Sequence, residues 1–174
     1  AAATPSWPDV AVYALGSQEP DIHPDAYLAP GCTVIGSVTI GAESTVWPGA
    51  VIRGDDGEIH IGARPSIQDG AILHTTRHLP TTVGDECVIG HLAHLEGCTV
   101  EDGALVGSGA VVLHGAVVSS GALVGAAALV PGGMVVPAAA MALGVPAKVR
   151  PDAVTAEMIS LGMQSYVDRG HRYR

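Results

Sequence analysis

The stretch that decides the fold is Val100–Val136, VEDGALVGSGAVVLHGAVVSSGALVGAAALVPGGMVV, in which every sixth residue is valine: Val100, Val106, Val112, Val118, Val124, Val130 and Val136. Val, Ile and Leu make up about a quarter of the chain, so seven in register would arise by chance roughly once in ten thousand trials. The ladder continues toward the N-terminus as Val83, Ile89 and Leu95, then Ile61, Ile67 and Leu73, then Ile22, Leu28, Val34, Ile40, Val46 and Ile52. Insertions after Ile52 and Leu73, and one dropped residue before Val100, separate the runs. Four residues after most rungs stands a small side chain: Ala26, Cys32, Ser44, Ala50, Ala71, Cys87, Ala93, Thr99, Ala104, Ala110, Ala116, Ala122 and Ala128.

A six-residue period is out of step with 3.6 residues per turn and too short for a helix pair. It fits a short strand plus a corner, three such units closing one triangular coil of about 18 residues, with coils stacking as parallel strands about 4.8 Å apart. Residues 22–136 then predict about six coils, a prism on the order of 30 Å tall. Small inward side chains keep the triangle narrow, which accounts for the absence of phenylalanine from 174 residues. The prism with its lead-in covers residues 1–150. Pro146 and Pro151 punctuate the exit, and residues 151–174 form a C-terminal segment with a helix expected from about Asp152 to Arg169. Its apolar stripe is read as Val154, Met158, Leu161 and Met163 or Tyr166, packing on the prism or on a neighbouring subunit.

Composition narrows the function. A net charge of −9 and a pI near 5.1 exclude a duplex nucleic-acid binder; the basic tail Arg169, His171, Arg172, Arg174 reads as a solvated end. No run of 18 apolar residues occurs, so no membrane span is expected, and no signal peptide is visible at the N-terminus. Cys32, Cys87 and Cys98 are odd in number and lack CxxC spacing, which predicts a reducing compartment, the cytoplasm.

The register predicts which side chains meet. The residue after each rung of one face stacks in a column, Arg53, His74, Glu96, Leu113, and on another face Asp69, His91 and Ser108 align. Adjoining rungs are close enough for two side chains to reach one metal, so His74 and Glu96 qualify within one chain. His91 lies on a different face and joins them only if a second subunit supplies it, which predicts a ring of subunits, most simply a homotrimer.

Arg53-Gly54-Asp55, Ile67-Gln68-Asp69-Gly70, Leu73-His74 and Gly90-His91, in this order and at these spacings, resemble the γ-class carbonic anhydrase family of hexapeptide-repeat proteins. The resemblance implies an all-β, left-handed parallel β-helix with a C-terminal α-helix, assembled as a homotrimer with sites between subunits. It implies an inter-subunit salt bridge between Arg53 and Asp69 assisted by Asp55, Gln68 orienting a metal-bound hydroxide, and His74 and His91 binding Zn or Fe. At Gly90-His91-Leu92-Ala93-His94-Leu95-Glu96-Gly97-Cys98 the chain departs from the family, which has a third metal histidine where Glu96 stands.

Two readings of Glu96 stand open: a carboxylate ligand completing a two-histidine, one-carboxylate site, or the partner of Arg53 in a salt bridge at a site that has lost its metal. His94 is a weaker substitute, outside the Arg53–His74–Glu96 column. An anionic ligand leaves bound water less acidic than three neutral imidazoles do, so the expected enzyme is a slow CO2/bicarbonate lyase or acts on a related small carbonyl or ester substrate. His78, on the insertion after His74, is a candidate proton carrier. Asp56 and Glu58 are exposed relay candidates, His114 faces solvent or an interface, and Cys98 is a weak ligand candidate. The alternatives are a CoA-dependent hexapeptide acyltransferase and a non-catalytic trimeric binding or assembly protein.

Overall fold

A computed structural model describes residues 9–173; the lead-in before Asp9, and Arg174 of the basic tail, lie outside it. The predicted ladder is the core. Every rung aliphatic is buried except Ile22, which is half-buried, and the small residues four places on are buried with them apart from Thr99. Thr99 yields that place to Cys98, 1% exposed, because the dropped residue falls before the small position and not after it.

Each coil contributes one short strand to each of three faces. Val88–Ile89, His94–Glu96 and Thr99–Val100 form one such coil, paired in parallel with the coils above and below. Two longer strands, Thr33–Ile40 and Val51–Ile61, run round one edge without a break. Two faces therefore join as a twelve-stranded sheet, while the third is an eight-stranded sheet. The first insertion is absorbed inside Val51–Ile61: register with Thr33–Ile40 shifts between Gly36, opposite Gly54, and Val38, opposite Ile59. Residues 55–58 are left to bulge at that edge.

The stack has about seven turns. The stack is longer than expected because Ala11–Tyr13 pairs with Thr33–Ile40 ahead of Ile22, and because the ladder runs one step, a third of a coil, past Val136 to Ala142, in the strand Met141–Leu143. That open edge is covered by the antiparallel strand Lys148–Arg150, which blunts further pairing.

The helix spans Ala156–Tyr173 and starts later than its sequence suggests. The N–H groups of Ala153 and Val154 both donate to the Ala139 carbonyl, docking that segment before a helical turn can form. The buried stripe is Ile159, Met163, Val167 and Gly170, at helical spacing, whereas Met158 and Leu161 are exposed. Met163 and Val167 pack on Val88, and Tyr166 joins Tyr27, Ala29 and Trp47. The helix thus lies along the prism, clamped by Arg64 to Gln164 and by His171 to Glu43.

Candidate functional site

The expected column forms. Arg53 is paired with His74 and His74 with Glu96 on successive strands, their side chains outward because the inward positions are Ile52, Leu73 and Leu95, each 0% exposed. His74 is held on both sides: Nδ1 lies 3.1 Å from Glu96 Oε1 and Nε2 lies 3.0 Å from Asp55 Oδ1. Asp55, at the start of the bulge, also accepts from Arg53. Within the chain, then, Arg53 pairs with Asp55, and Glu96 is met by imidazoles.

Three imidazoles surround Glu96. Besides His74, His94 Nε2 stands 3.2 Å from Oε2 and His114 Nε2 stands 3.6 Å from Oε1. His94 occupies a separate column, opposite Ile72 and Val111, yet it flanks Leu95 on the outer face and reaches Glu96 along its own strand. His114 comes from the corner one coil further on and turns back over the carboxylate. Glu96 and His74 are mostly covered, with 24% and 18% of their side-chain surfaces exposed.

Burial works to raise the pKa of Glu96, but hydrogen bonds from His74 and His94 and the charges of His74 and His114 outweigh it, and the carboxyl lies below its ordinary value. Asp55 behaves alike: burial raises it, while hydrogen bonds from Arg53 and His74 and the Arg53 charge bring it below the usual range.

Behind the site, Thr81 is fully buried. Its hydroxyl donates to the His74 carbonyl and accepts the Gly97 N–H at 2.8 Å, tying together the chain segments that carry His74 and Glu96. The insertion after His74 folds back through the Thr76–Leu79 bridge, with His78 exposed at its turn.

The remaining expected residues gather on another corner. Gln68 is buried after the strand Ser66–Ile67, and Asp69 Oδ2 lies 2.9 Å from His91 Nδ1 on the next rung. His91 Nε2 is 3.3 Å from the hydroxyl of Tyr166, a helix residue that sequence reading assigned only to packing. Among the described residues no group of three or more His, Cys, Asp or Glu side chains is gathered as a metal cage. Cys98 is core and not site: burial pushes its thiol up to about 12. Cys32 and Cys87 are buried and free as well.

The family model described as "Bacterial transferase hexapeptide (six repeats)" matches residues 19–54. A carbonic anhydrase of Geobacillus kaustophilus is 38% identical over 165 residues, covering 94% of this chain and 91% of that protein. The mitochondrial gamma carbonic anhydrase 2 of Arabidopsis thaliana is 42% identical over 96 residues, 52% of this chain and 34% of the plant protein; the chain thus spans about a third of the length of that relative. A crystal structure of a hexapeptide transferase family protein from Anaplasma phagocytophilum superposes with a TM-score of 0.89 at 28% identity, over 94% of this chain and 98% of that one. Identity sustained along nearly the whole of a bacterial relative, on the same stacked scaffold, means that the chain belongs to the γ-carbonic-anhydrase-like family of left-handed hexapeptide-repeat proteins.

Proposed function

We propose that the chain is a metal-dependent enzyme of the γ-carbonic anhydrase type, acting on CO2 and bicarbonate or on a related small carbonyl or ester substrate. The observation that carries this reading is the His74–Glu96 pair: two donors of suitable chemistry on adjoining rungs, 3.1 Å apart. Ligands at 2.0–2.2 Å from one tetrahedral ion stand about 3.3–3.6 Å apart, so the hydrogen-bonded pair needs to part by only a few tenths of an ångström to take two places in a coordination shell. Asp55 at the other ring nitrogen of His74 is the kind of carboxylate that orients a ligating imidazole. His74 and Glu96, with one further imidazole, would hold zinc or iron, and such an ion supplies a Lewis acid that brings water ionisation toward neutral pH.

The chain's own residues do the rest. Arg53 fixes Asp55, Asp55 fixes the ring of His74, and Thr81 fixes the backbone behind it. In the homotrimer that the family pattern implies, the Gln68–Asp69–His91 corner of one copy adjoins the His74–Glu96 face of the next, Asp69 meets Arg53, and Gln68 positions the substrate. His78, exposed on its turn, is suited to carry protons to solvent. Glu96 in place of an imidazole lowers the net charge of the centre, so CO2 hydration is expected to be slow. A reducing compartment, the cytoplasm, suits three buried thiols.

Metal analysis of protein purified without added metal, with Glu96→Ala and Glu96→His beside it, tests the reading. The alanine form should lose metal, and the histidine form should keep it and hydrate CO2 faster. Metal content unchanged in both Glu96→Ala and His74→Ala would sink it. The transferase likeness of the scaffold favours one other reading, acyl transfer; saturable acetyl-CoA binding would support that instead.

A further inference from the structure

Glu43, Arg64 and Glu86 occupy the same corner of three successive coils, each two residues before a strand of the eight-stranded sheet. All three keep a side chain at positive φ, 55°, 68° and 57°, where the next two coils have Gly103 and Gly121 at 66°. The left-handed region disfavours residues with a Cβ, so side chains retained there on three coils in a row point to a use. Arg64 Nη1 donates to Glu43 Oε2 at 3.0 Å, Nε lies 3.2 Å from Glu86 Oε1, and Nη2 donates to Gln164 Oε1 of the C-terminal helix at 3.2 Å. Glu43 ties the helix a second time, with its Oε1 3.0 Å from His171 Nε2.

Stability alone does not account for this charged row. Arg64 and Glu86 have 30% and 50% of their side-chain surfaces exposed, and ion pairs at such exposure contribute little. The helix is attached by Ile159, Met163 and Val167, and apolar packing is non-directional. The polar ties are directional. Gln164 and His171 stand two helical turns apart on one side, with Tyr166 between them along the axis. A slip of one turn carries a helix about 5.4 Å, which would take the Tyr166 hydroxyl away from its place 3.3 Å from His91 Nε2. Asp69 holds His91 Nδ1 at 2.9 Å, so Tyr166 meets the one ring nitrogen that Asp69 leaves open.

We infer that Arg64 is a positioning residue: with Glu43 and Glu86 it fixes the register of the C-terminal helix along the prism, and thereby the place of the Tyr166 hydroxyl against His91 Nε2. The inference rests on the reading that His91 serves the metal centre, and it gives the helix a part in that centre beyond packing.

Ring-nitrogen NMR of metal-free protein carrying isotope-labelled histidine tests it, with the His91 signal assigned by its loss in His91→Gln. Tyr166→Phe defines the shift that follows from losing the hydroxyl. Arg64→Gly removes the clamp and relaxes the corner; it should move the His91 Nε2 signal the same way, at least about half as far, with a melting temperature no lower than that of wild type. Combined with Tyr166→Phe it should move the signal no further, because both act through one contact. Gln164→Ala leaves the prism corner intact and should shift the signal in the same direction, which decides the matter should Arg64→Gly melt early. A His91 signal at its wild-type position in both Arg64→Gly and Gln164→Ala overturns the inference, and so does an additive shift in the double variant. Zinc titration of His91→Ala is a separate arm. Binding at least about 10-fold weaker supports the underlying reading, whereas affinity equal to wild type removes His91 from the metal centre whatever the ring signals show.

Discussion

The coils from Val100 to Val136 and those from Val51 to Glu96 share one interior and differ on the outside. Inward, Val106, Ala110, Val112 and Ala116 in the first group and Ile52, Ala71, Leu73 and Ala93 in the second are all 0% exposed. Outward, the later coils present mainly Val111, Val117, Leu123 and Leu129, with uninterrupted hexads. The earlier ones present Arg53, His74, His94 and Glu96, and both insertions fall among them. Because successive strand residues point to opposite faces, polar chemistry is mounted outside without disturbing the apolar ladder inside. Interruption of the repeat marks where that chemistry gathers: the bulge brings Asp55 to His74, and the second insertion places Thr81 behind it.

The largest effect expected on this contrast is at the shared interior. Leu95→Ala, one residue from Glu96, should cost about 2–5 kcal/mol in denaturant unfolding, and Val118→Ala about 2 kcal/mol, since fewer methyl groups are removed. Equal tolerance of both would show that the interrupted coils are not packed as the regular ones are. Next, Thr81→Val leaves the His74 carbonyl and the Gly97 N–H without their buried partner and should cost about 1–3 kcal/mol. Thr81→Ser should restore most of that loss, and a serine variant as weak as the valine one would assign Thr81 to packing alone.

A smaller effect concerns acid. A carboxyl whose folded pKa is lowered adds stability that is present above its unfolded value, about 3.9 for aspartate, and is lost as pH falls through the folded value. Asp55 is such a group, its burial outweighed by hydrogen bonds from Arg53 and His74. Melting temperature followed from pH 6 downward should therefore fall less steeply below about pH 4 in Asp55→Asn than in wild type; parallel curves would remove Asp55 from the acid response. The smallest effect is at Leu92, 72% exposed at φ 59°, on the corner where neighbouring coils have Gly49, Gly70 and Gly109 at φ 75°, 68° and 67°. Leu92→Gly relieves left-handed backbone strain and should change stability by less than about 1 kcal/mol, toward gain. A clear loss would show that the leucine side chain itself is packed.

The columns Arg53–His74–Glu96 and Asp69–His91 were readable because stacking at a fixed period converts sequence offset into spatial alignment. His94 carried a readable signal that column logic passes over: residues two apart on a strand share a face. His114 and Tyr166 differ. The first stands two residues past its rung, the same offset as Asp69 and His91, so its place was set, but the turn of its ring back to Glu96 was not. The second reaches His91 across 75 positions because of how the helix docks. The helix stripe went astray for a related reason: Met158 and Leu161 are apolar, but only the site of docking decides which side is covered, and the Ile159, Met163, Val167 side is.

Sequence alone determined the inward half of this protein, since a periodic aliphatic ladder has one way to leave water and that way sets the rungs, their order and their alignment. Tertiary structure decided the outward half. Where side chains are free to turn, partners are chosen by distance and charge in three dimensions, and that choice gave Glu96 three imidazoles, Arg53 to Asp55, and Tyr166 to His91.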